Sequence, residues 1–95
     1  MDRAAAIELL DAHHRFPSEH VFRLIVRSDP ADVAAVLTSM AAFRGVADLV
    51  DHVVEVPSTG GRWRSLRITL RCGSAAEVVD LYGHVATLPQ VVRAL

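Results

Sequence analysis

The feature that most constrains this chain is alternation. From Arg62 to Cys72, Leu66, Ile68, Leu70 and Cys72 share one parity, while Trp63, Ser65, Arg67, Thr69 and Arg71 hold the other. From Glu19 to Arg27, Phe22, Leu24 and Val26 oppose Arg23, Ile25 and Arg27 in the same way. Strands buried on both faces read as continuous apolar runs. Alternation in two long strands therefore predicts a sheet with one packed face and one open face.

The covering layer is written at helical spacing. Val33, Val36, Leu37 and Met40 form an i, i+3, i+4, i+7 stripe, and Val78, Leu81, Tyr82 and Val85 form a second. Asp29 as N-cap, Pro30 at the first helical position and Gly45 at the end bound the first stripe. Ser74 with Glu77 opens the second as a capping box, and Leu88-Pro89 stops it. A further short helix is expected over residues 2–13, where Ile7 and Leu10 share a face with Ala6 beside them. Phe16-Pro17 ends it, because a residue before proline avoids helical geometry.

Leu49–Val56 is rich in β-branched residues, and Pro57-Ser58-Thr59-Gly60-Gly61 joins it to the long alternating strand as a hairpin. Gln90–Leu95 is a short final strand. The order αβαββαβ contains two strand-helix-strand units. With right-handed crossovers these predict an α+β sandwich of ferredoxin-like βαββαβ type, a four-stranded antiparallel sheet ordered 4-1-3-2 with two helices on one face. Residues 1–14 form an N-terminal helical extension, and residues 15–95 a single domain.

Composition narrows the function classes. With 95 residues, 52% of them hydrophobic, the chain suffices for one core and is expected to be ordered throughout. No apolar run reaches the roughly 20 residues of a membrane span, and Asp2 and Glu8 interrupt any leader-like pattern at the N-terminus. A lone cysteine, Cys72, leaves no intramolecular disulfide or cysteine-based zinc site, so a cytoplasmic setting is expected. The net charge of −1 gives no global pull toward nucleic acid or membrane, and all ten basic residues are arginine, as codon bias alone would explain.

Several residues carry a family resemblance: Phe16-Pro17, then His20-x-Phe22-Arg23 entering the first strand, the run Pro57 to Ser65 at the hairpin, and Val92-Arg93 near the C-terminus. The chain resembles the small bacterial YbeD-like proteins of unknown function over residues 15–95. The most specific part is the hairpin signature Ser58, Gly61, Trp63 and Ser65. Gly60 stands where the family usually has lysine, and Trp63 where it has tyrosine. The resemblance implies a ferredoxin-like fold similar to the ACT regulatory domains, which bind small effectors at subunit interfaces. It implies no established activity.

The candidate binding residues are Arg23, Arg27, Ser58, Gly61, Trp63, Ser65, Arg67 and Arg71. Arginines beside one aromatic can neutralise an anionic ligand or single-stranded nucleic acid while Trp63 stacks on a planar group. Against this, the sequence favours cross-strand pairing of the arginines with Asp51 and Glu55, expected on the same face of the hairpin's edge strand. An RNA-recognition module would need closely spaced aromatics on its third strand, where only Trp63 stands. The glycines of the hairpin are explained by a turn needing positive φ, with no phosphate-loop pattern.

No metal, cofactor or catalytic residue is expected. His13, His14 and His20 with Asp11 and Glu19 lack metal-ligand spacing, and His20 is expected to pack near Tyr82 or His84 instead. Cys72, with His52 and His84 as candidate bases, shares the inward parity and is expected to be inert core. The sequence thus predicts a small regulatory or adaptor module, expected as a homodimer, meeting a protein or small effector through the open face or the edge strands. The alternative is a nucleic-acid or anionic-metabolite binder on the same arginines.

Overall fold

A computed structural model describes residues 2–95; Met1, the first residue of the expected extension, lies outside the described residues. The chain runs α1 (Arg3–His13), β1 (Ser18–Arg27), α2 (Pro30–Arg44), β2 (Val53–Pro57), β3 (Trp63–Cys72), α3 (Ala75–Val85) and β4 (Val91–Ala94), the expected order. The strands form one antiparallel α+β sheet ordered β2-β3-β1-β4, which is 4-1-3-2 read from the other edge.

The packed face is the one that alternation marked. Phe22, Leu24 and Val26 of β1 and Leu66, Ile68, Leu70 and Cys72 of β3 are buried against Val33, Val36 and Met40 of α2 and Val78, Leu81 and Val85 of α3. Each such aliphatic or aromatic side chain contributes roughly 1.5–3 kcal/mol by leaving water. Both stripes thus cover a single face, and among the described residues the other face carries no helix.

Local chemistry sets the helix ends. Asp29 accepts the Ala31 N–H at 2.8 Å, and Gly45 closes α2 at φ 74°, a left-handed conformation suited to glycine. Ser74 accepts the Glu77 N–H at 3.3 Å, and the Glu77 carboxylate reaches back to the Gly73 N–H, one residue earlier than a standard capping box. α1 starts at Asp2, which accepts the Ala5 N–H at 2.7 Å, and Arg3 fixes the helix to α3 by donating to both carboxylate oxygens of Asp80 at 2.8 and 3.1 Å. Leu10 and Phe16 pack at the margin of the core. No helix is long and apolar enough to cross a membrane among the described residues.

The region before β2 departs from expectation. Instead of a strand from Leu49, a single 3-10 turn spans Val50–His52 and the strand begins at Val53. Leu49 is buried as an anchor, and the Asp48 carboxylate accepts the Val50 N–H at 3.0 Å, which turns the backbone. Burial of one leucine outweighs the β-propensity of its neighbours.

Candidate functional site

Pairing register places the open-face residues in rows. Arg27 lies opposite Trp63, Ile25 opposite Ser65, Arg23 opposite Arg67, Val21 opposite Thr69, and Glu19 opposite Arg71. On the β2 side, Val54 stands opposite Arg67 and Val56 opposite Ser65, and on the β4 side Arg93 stands opposite Ile25. Arg93 was not foreseen, because β4 has four residues and an irregular register beside Ile25 and Val26, too little pattern to assign parity.

One expectation is overturned. Glu55 lies opposite Leu66, a core residue, so it points to the helix side of the sheet, where its carboxylate accepts from Arg64 at 3.2 Å. Asp51 sits in the 3-10 turn outside the strand. Glu55 therefore does not share the face of Arg23, Arg27, Arg67 and Arg71, and Asp51 enters no ion pair with them among the described residues. The open-face residues of β2 are instead Val54 and Val56, 60% and 41% exposed.

The electrostatic result is a face with Arg23, Arg27, Arg67, Arg71 and Arg93 and, among the described residues, a single acidic side chain, Glu19. The ion pairs among the described residues are Arg3 with Asp80, Arg44 with Glu77, and Arg64 with Glu55, and none uses an open-face arginine. Arg23 and Arg67 stand directly opposite each other on the two central strands. Like charges in that position destabilise a sheet by roughly 0.2–1 kcal/mol.

The hairpin residues are engaged by the turn. Ser58 Oγ accepts the Trp63 N–H at 3.0 Å, the Ser58 N–H donates to the Trp63 carbonyl at 2.9 Å, and the Gly61 N–H donates to the Ser58 carbonyl at 2.9 Å. Gly60 and Gly61 have φ of 88° and 72°, which a side chain would strain. This closure sets Trp63, half-buried, at the corner of the open face beside Arg27.

On the packed side, His20 joins an aromatic cluster, its ring centroid 4.9 Å from Phe22, 6.0 Å from Tyr82 and 5.8 Å from His14. Burial first, and the neighbouring His14 second, lower its pKa from the ordinary value. The expected contact is with Tyr82; His84 instead stacks on Phe43 at 4.5 Å and shares a 2.8 Å hydrogen bond with Ser39. No cluster of three or more histidine, cysteine or acidic side chains suited to a metal occurs among the described residues. Cys72 is fully buried, and burial raises its thiol pKa against the opposing charge of Arg44. His52 stays in the exposed 3-10 turn.

Comparison with curated proteins and with solved structures returns no match. The family described as "Protein of unknown function (DUF493)", the YbeD family, matches residues 11–95, from the last turn of α1 through the whole sheet. The chain therefore belongs to that family of proteins of unknown function.

Proposed function

We propose that this chain is a non-enzymatic adaptor or regulatory domain of ferredoxin-like type, working in the cytoplasm, whose open sheet face docks an acidic surface of a protein partner. The supporting observation is the opposed pair Arg23 and Arg67 with no carboxylate partner among the described residues. A cost in the free domain is relieved when a partner brings the missing negative charge. Val54, Val56, Ile25 and Trp63 add an apolar and aromatic component of the kind found at the centre of protein interfaces. Arg27, Arg71 and Arg93 extend the basic field, and Ser65 offers a neutral hydroxyl between them. Single-stranded nucleic acid is the second reading, favoured only by Trp63 beside Arg27.

The test is affinity capture of the tagged domain from lysate of its own host cells, in parallel with an Arg23→Glu, Arg67→Glu variant and a Trp63→Ala variant, each verified as folded by circular dichroism. An acidic protein retained by the wild type and lost with the charge reversal supports docking. Equal capture by both overturns it. Enriched nucleic acid whose retention falls steeply with salt moves the assignment to the second reading.

A further inference from the structure

The two edges of the sheet differ in protection. β4 pairs irregularly with β1 over four residues, the kind of distortion that discourages further pairing. β2 pairs with β3 in unbroken register from Val53 to Pro57 and, among the described residues, has no strand on its other side; the helix-side charge of Glu55 and the terminal Pro57 are its guards. Alternate N–H and C=O groups of such a strand face outward without a sheet partner.

Beside this edge runs a groove. Two adjoining cavities of about 210 and 380 Å³ share Ala34, Leu37 and Glu55; Leu49 and Val53 extend the apolar floor, and Asp48 stands at one end. A strand added to β2 would lay alternate side chains between the edge and α2, with about 17 Å of backbone to pair. The charge around the groove is acidic. Glu55 is matched by Arg64, whereas Asp48 and the neighbouring Asp51 enter no ion pair among the described residues.

We propose that the free edge of β2 and the groove under α2 bind an extended, apolar peptide segment carrying basic residues, by strand addition. Backbone pairing supplies the affinity, the cavities take the apolar side chains, and Asp48 and Asp51 select positive charge. A second copy is disfavoured as occupant, because two-fold self-pairing about the middle of β2 sets Glu55 against Glu55. Its apolar pockets lie on the side of β2 opposite the open face, and the remaining side chains of the added strand extend the open face beyond Val54 and Val56.

The probe is a fluorescein-labelled, end-blocked octapeptide in which alternating valine and threonine put the valines on the groove side, ending in two lysines that meet Asp48, with glutamates in place of the lysines as control, read by anisotropy and amide hydrogen exchange. The lysine peptide is expected to bind, to protect the outward-facing amides within Val53–Val56 from exchange, and to bind about tenfold more weakly to Ala34→Arg, a change at an exposed position of α2. Asp48→Asn, which keeps an acceptor for the Val50 N–H, should weaken binding by about threefold and reduce its salt dependence. Failure of the lysine peptide to bind overturns the proposal. So do equal binding of the glutamate peptide, protection confined to β1 and β3, or concentration-dependent protection of β2 without peptide.

Discussion

The open face and the groove under α2 lie on opposite sides of β2 and carry opposite charge. Val54 and Val56 point to the side of five arginines, whereas Val53 and Glu55 point to the groove beneath α2. The difference rests on a parity of one residue. Had Glu55 pointed the other way, it would have placed a second carboxylate on the arginine face and left Arg64 without its partner. A single strand thus separates a surface suited to an acidic partner from one suited to a basic segment.

The largest perturbation should abolish both surfaces together. Phe22→Ala removes a fully buried ring that contacts Tyr82 and His20, and should cost about 3–5 kcal/mol by chemical denaturation. A variant that lost one surface and kept the other would show that the two do not depend on a common core.

Charge changes should separate them. Arg67→Glu is expected to weaken binding of an acidic partner by about tenfold or more while leaving the lysine peptide unaffected. Arg67→Thr should also raise stability by about 0.2–1 kcal/mol, because it removes the charge opposite Arg23. Unchanged or lower stability would show that the opposed arginines carry no cost in the free domain.

The groove has the reverse signature. Glu55→Gln removes the carboxylate that holds Arg64, a partly exposed pair, and should cost about 0.2–1 kcal/mol or less. Binding on the open face should not respond.

Acid provides a further discriminator, since His20 belongs to neither surface. Its pKa in the folded chain lies below the ordinary value of 6.5, so the unfolded chain binds more protons in that range. Stability should therefore be complete above pH 6.5 and fall as pH drops through the lowered pKa. The His20→Gln variant should flatten that slope in denaturation curves measured across the range. If it does not, another group carries the acid dependence.

Legibility in the sequence followed the length of the periodic pattern. Ten-residue β1 and β3 expose their parity several times over, so the core, the central pairing and Arg23, Arg27, Arg67 and Arg71 on one face were all readable. Helix caps at Asp29, Gly45 and Ser74 were readable because their chemistry is local. The edges were not. β2 and β4 hold five and four residues, and the side that Glu55 faces depends on its pairing with Leu66, a contact made across the hairpin. Arg93 was hidden for the same reason.

Cys72 closes β3 fully buried, its sulfur 3.7 Å from the Leu70 carbonyl oxygen. It gives the domain a built-in clock. An alkylating reagent reaches this sulfur only in molecules whose sheet has opened, so the modification rate counts excursions from the native state without any added label. Comparing that rate with and without a bound partner would weigh each partner's grip on the fold as a whole.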